Sequence, residues 1–296
     1  MIVGKRALPA FAVARHDVEL LVRPHDIVVS FEPLTVRAEA EWVFAPPSDD
    51  PFICQELAET LYHVVWELVH VFFDHMATSD AGAGASSFLY PFLEAQQHDL
   101  EAVVEDVRRS VLMKAREVAD LRAQTLGDGR DELASAATTL RRSFDAGGTL
   151  LAFGNGGSAT DAMDAVADFR AAPQGWPRRP ALDLSEDSAI LTALANDIGP
   201  DVLFQRQVIA YGREGDAVLA LSTSGSSANI VEALGEARRR GLATVAMVGY
   251  DGGRIAAERL ADHVVVSRSE HIPRIQEAQA SAYHVLRELV EAPAGP

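Results

Sequence analysis

The chain has 296 residues, a formal net charge of −17 and a single cysteine, Cys54. This length suggests one large domain or two smaller ones, and the 48% of hydrophobic residues is enough for a sizeable core. The negative charge argues against nucleic-acid binding. A single cysteine excludes an internal disulfide framework and fits a reducing cytoplasm. No apolar run approaches the roughly 18 to 20 residues of a membrane span.

The sequence of the first part of the chain has the alternating pattern of strands more than the three- and four-residue spacing of helices. Short strands are indicated at 17–22, 26–31 and 34–39, and proline-containing turns between them suggest a small antiparallel meander. Residues 52–75 then carry apolar side chains at three- and four-residue spacing, which predicts a helix. On this helix two interpretations stay open, the packing of polar groups or a partner-binding face that carries Tyr62 and Trp66.

An Ala-, Gly- and Ser-rich stretch at 77–87 predicts a loop, so we expect a domain boundary there. Residues 1–84 form an N-terminal α+β extension whose role the pattern does not give, and 85–296 form the second domain. In that domain a long amphipathic stretch at 88–124 and a helix at 131–144 are followed by alternating strands and helices, which predict a parallel sheet covered on both faces. The strands are expected at 149–153, 181–184, 217–221, 243–248 and 262–267, and the helices at 188–196, 202–211, 228–240, 252–260 and 273–291.

A glycine-rich turn follows the first of these strands. Gly154, Gly156 and Gly157 allow a sharp change of direction, and Ser158 is a suitable N-cap for the Ala-rich helix that comes next. Strand, turn and helix start together make a site for phosphate, because backbone N–H groups point outward at a helix N-terminus. The pattern is neither a P-loop nor a full GxGxxG motif, so it indicates a nucleotide only weakly.

A second turn of the same kind follows the strand at 217–221. Residues 222–227 read Ser-Thr-Ser-Gly-Ser-Ser, which places five hydroxyl groups in six residues beside the start of a helix. Neutral donors and a helix dipole suit a phosphate dianion without requiring a metal. In a parallel sheet both turns lie at the carboxyl ends of strands, where ligands of such folds bind.

Six motifs occur in a fixed order along the second domain. They are Gly154–Ser158, Asn196–Gly199, Gly212–Asp216, Ser222–Asn229, Asp251–Gly253 and Arg274–Glu277. Together they resemble the SIS (sugar isomerase) domain and, within it, the bacterial phosphoheptose isomerases. The resemblance runs from about Glu101 to the C-terminus. It implies a three-layer αβα sandwich with a parallel sheet, a homotetramer with sites shared between subunits, and conversion of sedoheptulose 7-phosphate to an aldose phosphate.

The resemblance also carries site residues onto this sequence. The substrate- and phosphate-binding positions, all of suitable type, are Asn155, Gly156, Ser158, Asp197, Ser222, Thr223, Ser224 and Ser227. The family's isomerases use four further groups, often around zinc. Here these positions hold Asp164, Asp168, Gln276 and His284, so two Asp residues replace a His and a Glu, and Pro273 stands where the family has an Asp.

Asp161, Asp164 and Asp168 share one helical face by their spacing, either as a solvated acidic stripe or as part of the site. Isomerisation through an enediol needs a base that moves a proton between adjacent carbons and an acid that serves the oxygens. We expect Asp168 and His284 to fill these roles. As metal ligands, Asp164, Asp168, Gln276 and His284 make a harder set than the family's, with one fewer nitrogen.

Two functions remain open at this point. The chain is either an aldose–ketose isomerase with altered catalytic carboxylates, or a phosphosugar-binding SIS protein without turnover that serves as a sensor or scaffold. The N-terminal extension favours the second modestly, because it gives a partner or regulator a place to bind.

Overall fold

The computed structural model describes residues 11–14, 27–30, 42–44, 46–77, 100–171 and 175–292. The chain divides into two compact units, residues 1–109 and 110–296. The predicted boundary between residues 84 and 85 lies outside the described residues and stays a prediction. Within the described ranges, no helix combines the length and the apolar character needed to cross a membrane.

The first unit contains a three-stranded sheet and a long helix. Strands β1 (Phe11–Ala14), β2 (Ile27–Ser30) and β3 (Trp42–Phe44) pair in that order and are parallel. The expected antiparallel meander is therefore wrong, and two of its three strands, 17–22 and 34–39, lie outside the described residues. About a dozen residues separate successive strands, which is the length of a parallel crossover and not of a hairpin turn.

Helix α1 (Pro51–Ala77) confirms the helix expected at 52–75. Its start has a local cause, because the Asp50 carboxylate accepts the backbone N–H of Phe52 at 2.8 Å and Pro51 occupies the first helical position.

The second unit confirms the predicted alternation of strands and helices. The strands are β4 (Leu150–Gly154), β5 (Ala181–Asp183), β6 (Ala217–Ser222), β7 (Ala243–Gly249) and β8 (His263–Ser267). The helices are α2 (Leu100–Asp128), which begins before the division at residue 110, α3 (Arg130–Asp145), α4 (Gly157–Arg170), α5 (Ser188–Asp197), α6 (Leu203–Tyr211), α7 (Ala228–Arg239), α8 (Gly253–Ala257) and α9 (Ile272–Glu291), with a short 3-10 helix at Pro200–Val202 before α6.

The five strands form one parallel sheet in the order β5-β4-β6-β7-β8. After β4 the chain moves to one side to make β5, and it then crosses to the other side of β4 to make β6. The strand order thus reverses between β4 and β6. In open parallel sheets this reversal opens a crevice at the carboxyl ends of the two strands, where ligands bind.

The sheet is covered on both faces, so the three-layer αβα sandwich is confirmed. Along β4, Leu150 and Ala152 enter the core that contains α3, α4 and α9, whereas Leu151 and Phe153 enter the core that contains α6 and α7. This alternation is the two-residue period of a strand buried on both faces. The buried runs predicted as strands therefore supply both cores at once.

Candidate functional site

The glycine-rich turn lies at the carboxyl end of β4, on one side of the crevice. Gly156 has φ +56°, which favours glycine. A side chain at Gly154 would meet the backbone oxygen of Ser158 at 2.3 Å. Helix α4 begins at Gly157 with Gly156 as its N-cap and has no side-chain cap. Ser158 is therefore a buried residue of the first helical turn, and the expectation that it caps the helix is wrong.

Gly157 has a tertiary role that the sequence did not reveal. A Cβ atom at this position would lie 2.2 Å from the side-chain amide nitrogen of Gln276 on α9. The missing side chain lets Gln276 pass over the start of α4, where its Nε2 donates to Asp161 Oδ2 at 3.2 Å. Gln276 of α9 therefore packs against the turn at Gly157 and is hydrogen-bonded to Asp161 in the first part of α4.

Asp161 is buried, and its environment disfavours the charged carboxylate. Burial raises the pKa of Asp161 to about 8; the Gln276 hydrogen bond acts against this rise, and the charge of Asp164 adds to it. Asp164, another expected ligand position, lies close enough for its charge to act on Asp161 but is only half-buried. Asp161 was recognised in the sequence only as part of an acidic face, and its contact with Gln276 was not expected.

The two expected catalytic residues lie together. Asp168 Oδ2 and His284 Nε2 are 3.4 Å apart, and both side chains are almost completely buried. Asp168 is near the C-terminal end of α4, and His284 lies two helical turns after Gln276 on α9. The pairing of α4 with α9 thus brings a carboxylate and an imidazole from positions 116 residues apart into contact.

The second turn, residues 222–227, lies at the carboxyl end of the neighbouring strand β6. Ser222 Oγ accepts the backbone N–H of Gly225 at 3.1 Å, and Ser224 Oγ accepts that of Ser226 at 3.3 Å and lies 3.4 Å from Ser227 Oγ. Thr223 and Ser224 are accessible at the surface of the chain. Ser227 is the N-cap of α7, and its side chain makes no capping bond.

This turn is fixed from behind by the start of α8. The backbone N–H of Arg254 donates to Ser226 Oγ at 3.0 Å, and that of Ile255 donates to the Gly225 oxygen at 2.9 Å. Gly225 has φ +60°, and a side chain there would meet the Gly252 oxygen at 2.2 Å. The loop is therefore held in one shape by packing against the glycines at 252 and 253.

The two turns are linked directly across the crevice. Asn155 and Asn229 exchange two side-chain amide hydrogen bonds, each 2.9 Å long. Asn155 was expected at the site, whereas Asn229 was noted only as the end of the Ser-rich motif. The pair confirms that the turns after β4 and β6 are neighbours.

Asp197 takes part in none of the contacts described above for the turns after β4 and β6. It is the last residue of α5, is exposed, and accepts a hydrogen bond from the Asn196 amide at 2.8 Å. Its expected contact with substrate therefore stays a prediction.

The four expected metal-ligand positions are only partly gathered. Asp168 Oδ2 and His284 Nε2 are spaced like neighbouring ligands of a tetrahedral ion, since zinc–ligand distances of about 2.0–2.2 Å place two ligands roughly 3.3 Å apart. Gln276, in contrast, is bonded to Asp161. In the part of the chain that the structure describes, no group of three His, Cys, Asp or Glu side chains is placed to share an ion.

Comparisons with known proteins place this geometry in context. The model of the SIS domain matches residues 115–249. A phosphoheptose isomerase of Chlorobium phaeobacteroides is 42% identical over 198 residues, which are 65% of this chain and 84% of that protein. One from Chlorobaculum parvum is 45% identical over 169 residues, which are 56% and 80% of the two chains.

Solved structures agree with these relatives. The phosphoheptose isomerase of Neisseria gonorrhoeae aligns with a TM-score of 0.59 at 31% identity and covers 63% of this chain and 100% of its own. That of Francisella tularensis aligns with a TM-score of 0.58 at 28% identity and covers 62% and 98%. The similarity therefore extends over nearly the whole length of both solved chains.

Proposed function

This chain belongs to the phosphoheptose isomerase family of SIS-domain proteins, and on that premise we propose that it is an aldose–ketose isomerase of phosphorylated sugars. Its substrate is sedoheptulose 7-phosphate or a closely related sugar phosphate. The observation that carries the proposal is the buried contact of 3.4 Å between Asp168 and His284. A carboxylate and an imidazole in contact are the two groups that proton transfer through an enediol requires.

In this proposal the phosphate is bound by the turn after β6. Thr223 and Ser224 offer hydroxyl donors, and the Ser227 side chain does not cap the first N–H groups of α7, so a phosphate can bind to them instead. Asn155 and Ser158 complete the site from the turn after β4. Asp197 is assigned to the sugar hydroxyls on the strength of the family pattern alone.

The proton transfers are assigned to Asp168 on α4 and His284 on α9, where these two helices are in contact. Asp168 removes the proton from the carbon next to the carbonyl and returns it to the neighbouring carbon, while His284 exchanges protons with the two oxygens. Burial of the pair keeps water away from the enediol, which limits side reactions. Asp168 is one methylene shorter than the family's Glu, so its position relative to the substrate is the critical quantity.

Zinc remains a proposal for the same positions. Two of the four, Asp168 and His284, are spaced as neighbouring ligands, and among the described residues no third His, Cys, Asp or Glu side chain joins them. The acid–base assignment above therefore uses only groups of the chain.

A specific observation also supports the second function, phosphosugar binding without turnover. The family's His and Glu are Asp164 and Asp168 here, so both groups on α4 differ from those of the isomerases. The described part of α1 exposes Tyr62 and Trp66, which we assign as the face for a protein partner of the N-terminal unit. A homotetramer and a cytoplasmic location complete the proposal.

One experiment separates the two functions. The purified full-length chain is assayed for ketose–aldose conversion of sedoheptulose 7-phosphate and other phosphorylated sugars, with zinc added and with a chelator, while calorimetry measures binding. We expect turnover by the wild type. For His284→Asn we expect a fall in kcat of about 10²- to 10⁴-fold, the usual contribution of a general acid–base group, with the dissociation constant nearly unchanged.

His63→Asn, in the N-terminal unit, is the matched control and should keep full activity. Saturable binding without turnover under every condition would establish the second function instead. Turnover that a chelator abolishes and zinc restores would assign a metal to the site. Full activity of His284→Asn would show that the catalytic assignment is wrong.

A further inference from the structure

Arg287 is a fully buried arginine one helical turn beyond His284 on α9, and no part of the proposed function has used it. Its three hydrogen bonds point in three directions. Nε donates to the backbone oxygen of Asp168 at 3.1 Å, Nη2 donates to that of Pro177 at 2.9 Å, and Nη1 bonds to the Glu291 carboxylate at 2.5 Å.

The guanidinium group of Arg287 also packs against two aromatic rings. Its central carbon lies 4.9 Å from the centre of the Phe169 ring and 5.3 Å from the centre of the Trp176 ring. An arginine that stacks on rings and donates through its fork cannot be replaced by lysine without loss of these directions. Arg287 therefore has very little freedom to move.

The buried charge is balanced by Glu291, which also accepts two hydrogen bonds from Arg179, at 2.9 and 3.0 Å. Burial lowers the pKa of Arg287, while the bond and charge of Glu291 and the charge of Asp168 act against this fall. Removing one partner of such a buried pair is strongly destabilising, because it leaves an uncompensated charge in the interior. Arg179 thus shares the anion with Arg287 but donates to no atom of Asp168 in the described part of the chain.

The bond to Asp168 is the important one. The Asp168 oxygen belongs to the last turn of α4, where carbonyl groups have no partner inside the helix. Arg287 satisfies it, and three residues earlier on α9, His284 contacts the Asp168 side chain. The backbone and the side chain of one residue are therefore both held by α9, which fixes where the carboxylate lies.

We propose that Arg287 is a positioning residue that holds Asp168 in place against His284. The inference rests on the proposed isomerase function for its kinetic consequence, but its geometric claim concerns only the Asp168–His284 contact. The alternative is that Arg287 merely caps α4 and stabilises the fold.

The test compares Arg287→Lys with Arg179→Lys. Both changes keep the positive charge beside Glu291, and only the first removes a bond to Asp168. For Arg287→Lys we expect kcat to fall by about 10- to 100-fold, as for a misplacement of about 1 Å, with KM within threefold of the wild type. For Arg179→Lys we expect both constants to stay within threefold.

A second measurement does not depend on turnover. In protein labelled with ¹⁵N-histidine, the His284 side-chain resonances, assigned by their loss in His284→Asn, should shift in Arg287→Lys and stay in place in Arg179→Lys. If Arg287→Lys does not fold, Trp176→Leu replaces it, because it loosens the guanidinium without leaving a charge unpaired. It should shift the same resonances and lower kcat at least threefold.

The outcomes separate the two proposals. Unchanged His284 resonances, or equal falls in kcat for the two lysine variants, would overturn the positioning role and leave a purely structural arginine. A wild type without turnover would refute the isomerase function, and the resonances alone would then decide the role of Arg287.

Discussion

At the scale of the residue, Asp161 shows how the fold controls a charge. Its pKa of about 8 lies far above the ordinary value of 3.8, which we take for the unfolded chain. Between pH of about 4 and 8 the folded protein therefore keeps a proton that the unfolded chain has lost. Stability from this group is fully present below pH about 4, is lost as the pH rises through this window, and is constant above about 8.

Asp161→Asn should remove this dependence, because an amide does not titrate in either state. Urea unfolding at several pH values between 5 and 8 measures the effect at a fixed protein concentration. In the wild type this carboxyl alone should lower the free energy of unfolding by up to about 1.4 kcal/mol per pH unit, and the variant should lack that part of the slope. Asp120→Asn, exposed on α2, is the control. Equal slopes in the wild type and Asp161→Asn would contradict the assignment.

At the scale of the element, the turn after β6 combines a fixed backbone with accessible hydroxyl groups. The glycines at 225, 252 and 253 allow the backbones of this turn and of the start of α8 to pack without side chains between them. Ser222 and Ser226 use their hydroxyl oxygens to accept backbone N–H groups. Thr223 and Ser224 lie between them and are accessible, and the Ser224 hydroxyl can still donate to a phosphate although its oxygen accepts the Ser226 N–H at 3.3 Å.

Thr223→Ala and Ser224→Ala should each weaken phosphosugar binding by about 1.5–3 kcal/mol, the range for a hydrogen bond to a charged group. Isothermal titration with sedoheptulose 7-phosphate measures the loss. Thr138→Ala, on the exposed face of α3, removes a hydroxyl far from the turn in the sequence and should leave the affinity unchanged. If both loop variants keep the wild-type affinity, the assignment of the phosphate site to this turn is wrong.

At the scale of the whole molecule, subunit contacts need apolar surface that the chain itself leaves uncovered. Helix α9 offers little of it, because α9 is buried along most of its length within the chain. Helix α5 is the better candidate, because its mostly apolar sequence contains no buried residue. Ile198, which directly follows α5 in the chain, is 54% exposed. On α4, Met163 is 48% exposed.

We therefore expect the protein to associate through the surface that contains α5, as a homotetramer. Light scattering should give a mass of about four times the 31.8 kDa of one chain. Ile198→Asp, which places a charge on the apolar surface, should lower that mass, whereas Arg108→Asp, exposed on α2, should not. A wild-type mass close to that of one chain would refute the assembly.

The sequence by itself determined the features that depend on near neighbours. Buried apolar runs of about five residues, separated by amphipathic stretches, specified the parallel strands and their helices, since these periods are set by local backbone geometry. The glycines at 154 and 156 and the hydroxyl-rich run at 222–227 marked the two turns for the same reason. In the first unit the pattern indicated strands but not their direction, because direction depends on the path of the connections.

Only the tertiary structure decided which side chains meet. Gln276 contacts Asp161, His284 contacts Asp168 and Arg287 binds the Asp168 backbone, across separations of 115 to 119 residues. No local period encodes these pairs, because they depend on how α9 is placed against α4 and on a glycine at 157 that lets the helices approach. Burial, which raises the pKa of Asp161 and encloses Arg287, likewise exists only once the layers have packed.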